Sequence, residues 1–96
     1  MAHVIRSRQA EQDLEEILDY LDGQSTQAAD RFARKLKESA QLHAIYPQIG
    51  ATAEDFAPNL RYFTVKNYAV FYRPVPDGIE IIRIIHGARD LPSFFE

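Results

Sequence analysis

The side chains best suited to chemistry in this sequence are basic groups concentrated in its last third. They are four arginines and one histidine, at positions typical of strands and loops: Arg61, Arg73, Arg83, His86 and Arg89. Guanidinium groups beside an imidazole can hold a phosphate and move a proton, which is the chemistry of RNA cleavage. The structural alternative is that Arg83 and Arg89 hold the C-terminus in place through ion pairs or carbonyl contacts. Glu80 and Asp90 are the nearest acidic partners, and the residue types alone favour this structural role.

Other common kinds of site have no pattern here. The chain has no cysteine, and its three histidines lie far apart without a carboxylate at ligand spacing, so we expect no metal and no cofactor. It also lacks a glycine-rich phosphate loop and a serine or cysteine nucleophile motif. The acidic residues of the first helix are interpreted as a solvated face.

Composition predicts one soluble domain spanning residues 1–96, because 96 residues with 46% hydrophobic content can form a single modest core. The net charge is −3: residues 1–60 carry six basic and ten acidic side chains, and residues 61–96 carry five and four. The excess of one basic side chain in residues 61–96 is small, which argues against direct binding of nucleic acid. The absence of cysteine, of an apolar leader and of a long apolar run predicts a cytoplasmic protein without a membrane segment.

The basic residues must be positioned by strands. Residues 68–73 are aromatic and β-branched, residues 79–85 hold five isoleucines, and Pro76-Asp77-Gly78 between them is a strong hairpin signal. Strict alternation would place Ile79, Ile81, Arg83 and Ile85 on one face of the last strand. Both faces of this hairpin are apolar, so one is expected to pack on helices and the other to form an exposed partner surface.

Two helices precede these strands. In the first, Ser7 is a candidate N-cap and Gly23 the predicted end, with apolar residues on one face: Ala10, Leu14, Ile17, Leu18 and Leu21. Ser25 or Thr26 is expected to cap a second helix that runs to about Tyr46. With short strands at residues 3–6 and 60–65, the order is β-α-α-β-β-β. That grouping predicts an α+β layer fold, a helical hairpin on one face of an antiparallel sheet.

Several segments together resemble one known family, the RelE/ParE toxin superfamily, on its ParE side. They are residues 10–21, Pro47-Gln48-Ile49-Gly50, Leu60-Arg61, residues 67–73, and residues 77–90 with their closing His-Gly-Ala-Arg-Asp. The resemblance implies a bacterial toxin with an N-terminal helical hairpin packed on a curved antiparallel β-sheet. It also implies a ParD-like ribbon-helix-helix antitoxin as partner, with DNA contacted only through that antitoxin.

The superfamily includes two activities, and the resemblance implies inhibition of DNA gyrase by binding. RelE-like members instead cut ribosome-bound mRNA; in this chain Arg61, His86 and Arg89 would carry that alternative. Phe63 and Ala69 stand where the RNA-cutting branch has basic residues, and neither can hold a phosphate. We expect the target and partner surface to lie near the C-terminus, with these residues: Arg61, Arg73, Arg83, His86, Arg89, Phe94 and Phe95.

Overall fold

The computed structural model describes residues 2–87, which form two helices packed on a five-stranded sheet. This confirms the predicted α+β layer. The elements, in chain order, are β1 (His3–Arg6), α1 (Arg8–Gln24), α2 (Thr26–Ile45), β2 (Ala51–Thr52), β3 (Arg61–Val65), β4 (Tyr68–Val75) and β5 (Gly78–His86).

Both helices begin at serine caps. The Ser7 hydroxyl accepts a hydrogen bond from the Ala10 amide at 3.0 Å, and the Ser25 hydroxyl accepts one from the Ala28 amide at 2.9 Å. The prediction that Gly23 ends α1 was wrong, because α1 continues to Gln24 and the extended backbone of Ser25 both ends α1 and caps α2. One residue therefore joins the two helices. Within residues 2–87, neither helix is long and apolar enough to cross a membrane.

The sheet has the strand order β1-β5-β4-β3-β2. Strands β3 to β5 pair antiparallel, as predicted, and the short strand β2, which was not predicted, pairs antiparallel with β3. By contrast, β1 pairs parallel with β5, from His3 opposite Gly78 to Arg6 opposite Ile81. The sheet is therefore mixed. Its first and last strands, β1 and β5, run in the same direction because the helical hairpin returns the chain. The turn between β4 and β5 lies at the predicted place, with Asp77 in the left-handed conformation (φ 65°).

A β-bulge in β5 changes which isoleucines face the helices. Tyr72 lies opposite Ile81 while its neighbour Phe71 lies opposite Arg83, so Ile82 is an extra residue in β5. The predicted strict alternation is therefore wrong. The helix-facing core takes Ile79, Ile81 and Ile84, whereas Ile82 and Ile85 belong to the opposite face.

The opposite face of the sheet was expected to be an exposed partner surface, and this is also wrong. Residues 53–60 of the connector fold across it, with Ala53 and Leu60 buried against Phe71 and Ile85. The ring of Phe56 contacts the ring of Phe71 edge to face, with centroids 5.9 Å apart. Both faces of the β4–β5 hairpin are apolar, and both are buried: the helices pack on one face and the connector packs on the other.

Candidate functional site

A groove of about 800 Å³ opens between α1, the first half of α2 and the end of β5. Its floor is apolar: Ile17 and Phe32 come from the two helices, and Tyr68 comes from β4. Phe32 and Tyr68 pack edge to face with ring centroids 5.2 Å apart. This combination of an apolar floor and an open side suits a segment of another polypeptide.

The rim of this groove carries charges of both signs. Glu16 lies on the α1 side, while Arg31 of α2 and Lys66 of the β3–β4 turn lie on the other. Neither Arg31 nor Lys66 forms an ion pair within residues 2–87. Their charges are therefore available to acidic groups of a bound segment.

Asp13 lines the groove and ties α1 to the bulged strand β5. Its carboxylate accepts hydrogen bonds from Arg83 Nε at 2.8 Å and from Arg83 Nη2 at 3.2 Å. It also accepts from the Ile84 amide at 3.0 Å and from Gln9 Nε2 at 3.1 Å. Strand β1 pairs with β5 only as far as Ile81, so the aspartate satisfies a backbone donor that β1 does not reach.

A second buried group, the Tyr72 phenol, holds the connector after α2. The hydroxyl donates to the Pro47 carbonyl oxygen at 2.8 Å and accepts from the Gly50 amide at 3.0 Å. Arg61 adds two bonds, to the carbonyl oxygens of Gln48 (3.0 Å) and Gly50 (2.7 Å). Burial raises the pKa of the Tyr72 phenol, against the opposing effects of the Gly50 amide and the Arg61 charge.

The predicted basic residues do not converge. Arg61 binds the connector, Arg73 pairs with Glu80 at 2.8 Å, and Arg83 pairs with Asp13. The structural alternative thus applies to Arg83, although its partner lies on α1 and not in the C-terminal region. Other members of the predicted set lie outside the described residues: Arg89, Phe94 and Phe95.

The separation between Arg61 and His86 follows from the strand register. Arg61 lies opposite Tyr72, whereas His86 lies opposite Tyr68, four residues away along β4. At about 3.3 Å per residue, the two positions are roughly 13 Å apart along the sheet. His86 packs edge to face on Tyr68 at the groove (ring centroids 5.2 Å apart), while the Arg61 guanidinium points to the connector.

Sequence reasoning missed the role of Asp13, which was assigned to the solvated acidic face. The signal was present, because Asp13 lies three residues after Ala10 and four before Ile17, a spacing that places all three on the buried helical face. The aromatic and β-branched pattern of residues 68–73 predicted a strand but gave no sign of the hydrogen bonds made by the Tyr72 hydroxyl. In the part of the chain from residue 2 to residue 87, no cluster of three or more His, Asp or Glu side chains could hold a metal ion.

Comparison with known proteins agrees with this architecture. Residues 4–91 match the family described as the ParE toxin of the type II toxin-antitoxin system, parDE. The chain belongs to the ParE toxin family. It is therefore a toxin of a type II toxin–antitoxin system.

Individual relatives carry both names of the superfamily. Toxin ParE3 of Caulobacter vibrioides is 28% identical over 94 residues, covering 97% of this chain and 94% of its own length. Toxin RelE2 of the same organism is 39% identical over 90 residues, covering 93% of this chain and 99% of its own. A solved structure titled "Chromosomal ParDE TA system from P. aeruginosa" superposes with a TM-score of 0.72. At 21% identity, over 90% of this chain and 96% of the other, it establishes the shared fold of this ParE-family toxin.

Proposed function

We propose that this ParE-family toxin inhibits DNA gyrase in the cytoplasm by binding to it, and that residues 1–96 act as one domain without catalysing a reaction. The observation that carries the proposal is that the basic side chains considered for catalysis are already bound within the protein. Arg61, Arg73 and Arg83 each bind an acceptor within the chain. A guanidinium held in this way is less available to a scissile phosphate.

Two buried positions support the same conclusion. Phe63 and Ala69 stand where the resemblance places basic residues in the RNA-cutting branch, and both are less than a tenth exposed. The Phe63 ring stacks on the His43 ring with centroids 4.1 Å apart. A phosphate could not be held at either position without opening the core.

The proposed gyrase contact follows β5 and continues beyond it. Arg73 lies beside the start of the strand, Arg83 and His86 lie in its second half, and Arg89, Phe94 and Phe95 come after it in the sequence. A supercoiling assay with purified gyrase and increasing amounts of the toxin tests this. We expect the wild-type toxin to abolish supercoiling. The double variant Phe94→Ala with Phe95→Ala should need a higher concentration to do so. Tyr20→Ala, an exposed aromatic on α1, is the matched control and should inhibit like the wild type. Normal supercoiling at saturating toxin would refute the proposal.

The antitoxin is proposed to be ParD-like, with a ribbon-helix-helix part that binds DNA and a segment that folds into the groove. An apolar face would cover Ile17, Phe32 and Tyr68, and acidic side chains would meet Arg31 and Lys66. The groove thus accounts for recognition of an acidic amphipathic segment by a toxin whose net charge is negative.

Charge reversal on α2 tests the groove. Arg31→Glu should weaken binding of the antitoxin encoded beside the toxin gene by about tenfold to a hundredfold, because an attractive charge becomes repulsive. Arg34→Glu makes the same change on the same helix outside the groove and is the control. Calorimetric titration measures both. Equal losses for the two variants would show that only net charge matters and would contradict this site.

Ribosome-dependent mRNA cleavage is the second candidate, and the 39% identity with Toxin RelE2 favours retaining it. Primer extension on a translated message compares the wild type with His86→Ala and Arg89→Ala. Cleavage that either substitution abolishes would establish this alternative and refute the binding mechanism. The gyrase proposal predicts no cleavage with any of the three proteins.

A further inference from the structure

Four basic side chains line a second, smaller cavity beside α2. Three come from the middle of the helix and one from the β3–β4 turn, and we call them the α2 basic patch: Arg31, Arg34, Lys35 and Lys66. The cavity has a volume of about 300 Å³, and Glu38 completes its lining. The patch therefore concentrates four of the chain's eleven basic side chains beside one of its fourteen acidic ones, on a protein whose net charge is −3.

The positive charges of the α2 basic patch are not neutralised by the rest of the described chain. All four residues are exposed, and none forms an ion pair or a side-chain hydrogen bond within residues 2–87. Arg31 and Lys66 also line the antitoxin groove, whereas Arg34 and Lys35 line only the smaller cavity. The antitoxin segment proposed above therefore leaves Arg34 and Lys35 without a partner of opposite charge.

The make-up of this cavity favours a nucleic acid over a protein segment. Every residue that lines it is charged, so an amphipathic helix would find no apolar anchor there. The centre of a protein–protein interface is depleted of charged residues, whereas a protein–DNA interface is more polar and much more positively charged. The groove differs in this respect, because its floor contains Ile17, Phe32 and Tyr68.

The spacing of the four side chains suits a row of phosphate groups. Arg31 is followed by Arg34 and Lys35 three and four residues later, which places the three on one side of α2 with neighbouring Cβ atoms about 5–6 Å apart. Lys66 lines the same cavity from the β3–β4 turn and extends the positive surface beyond the helix. Duplex DNA carries one negative charge per ~1.7 Å of its axis, so several phosphates lie within reach of a cluster of this size.

We propose that the α2 basic patch binds the phosphate backbone of duplex DNA without regard to base sequence. The choice of duplex DNA rests on the proposed function, because gyrase acts on duplex DNA and would bring this toxin next to it. The patch would then hold the toxin on the DNA while other residues contact the gyrase protein. The charge balance of the sequence did not reveal this surface, because three of its four basic residues lie in α2, within a first part of the chain that is acidic as a whole.

Fluorescence anisotropy of a labelled DNA duplex of arbitrary sequence, titrated with the purified full chain and without gyrase, tests the proposal. Each phosphate contact adds about −0.9 to the slope of log affinity against log salt, so four contacts predict a slope of about −3 to −4. The affinity should then fall on the order of a hundredfold between about 50 mM and about 200 mM salt. Arg34→Glu should weaken binding at least tenfold and reduce the slope by about 1. Lys37→Glu makes the same charge change at an exposed position of α2 that lines neither cavity, and it should keep the wild-type slope.

Circular dichroism shows whether each variant is folded, and Lys35→Glu carries the test if Arg34→Glu does not fold. A wild type that does not bind the duplex at about 50 mM salt, or equal losses for Arg34→Glu and Lys37→Glu, would overturn the proposal. Tighter binding of a polyglutamate peptide or of single-stranded RNA of the same length would assign the patch to another partner and would overturn it as well. The supercoiling assay gives a separate answer, because a toxin that inhibits gyrase without binding the duplex refutes this inference alone.

Discussion

Removing the Asp13 carboxylate is the perturbation that most directly tests how α1 is joined to β5. Asp13 is 8% exposed and accepts four hydrogen bonds, two of them from Arg83, which is 70 residues away along the chain. In Asp13→Ala the Arg83 guanidinium loses its two bonds to the Asp13 carboxylate in a partly buried site. The Ile84 amide is also left without its acceptor.

The magnitude follows from these losses. Breaking a buried ion pair by removing one partner costs about 3–5 kcal/mol, because the remaining charge stays desolvated. The Arg83 side chain is 18% exposed, so water screens part of this penalty and the lower end applies, about 3 kcal/mol. With a urea m-value near 1 kcal/mol/M for a domain of this size, the unfolding midpoint should fall by roughly 3 M.

Urea unfolding followed by circular dichroism measures this shift. Asp19→Ala removes an exposed carboxylate from the same helix and should change the free energy of unfolding by no more than about 0.5 kcal/mol. Asp13→Leu combined with Arg83→Met removes both charges and leaves mainly the unsatisfied Ile84 amide, at about 1–3 kcal/mol. The reasoning is refuted if Asp13→Ala is as stable as Asp19→Ala, or if the double variant is less stable than Asp13→Ala.

The remaining predictions concern single contacts. Tyr72→Phe leaves the Pro47 carbonyl and the Gly50 amide unpaired and should lower the free energy of unfolding by about 1–3 kcal/mol in the same urea assay. Burial raises the pKa of the folded Tyr72 phenol, so its contribution to stability is complete below about pH 10 and is lost as the pH rises further. The melting temperature should therefore fall less between about pH 8 and about pH 10.5 for Tyr72→Phe than for the wild type. Equal falls in the two proteins would contradict this. In Gly50→Ala the new methyl group would overlap the Tyr72 hydroxyl, so we expect a lower melting temperature, partly restored by adding Tyr72→Phe. Gly78→Ala would set a methyl against the His3 carbonyl oxygen; faster amide exchange confined to β1 and β5 is expected, and unchanged exchange would refute it.

The local parts of this fold were predictable from sequence. Ser7 and Ser25 cap their helices as predicted, because a cap involves only a side chain and the amide three residues later. The turn at Asp77 was found for the same reason, since two residues set its geometry. The resemblance of residues 77–90, with their His-Gly-Ala-Arg-Asp motif, to known sequences was the most specific indication of the ParE family.

The parts that failed depend on residues far apart in the chain. The extra residue at Ile82 in β5 was not predictable, because a bulge depends on how β4 and β5 pair across the sheet. The covered face of the sheet was missed because nothing local in residues 53–60 shows which surface they pack against. The role of the basic residues was not predictable either, because the groups that Arg61 and Arg83 bind lie in the connector and in α1.

Residue order and spacing along this chain predicted the helical hairpin and the β4–β5 hairpin, and the resemblance of several segments to known sequences indicated the toxin family. They could not show that Arg83 binds Asp13, or that the Tyr72 hydroxyl holds the turn at Pro47 and Gly50. Those pairings exist only once the helices lie on the sheet. Helix and strand periodicity is set by neighbouring residues, whereas the partner of a buried polar group is set by the packing of layers that come from distant parts of the sequence.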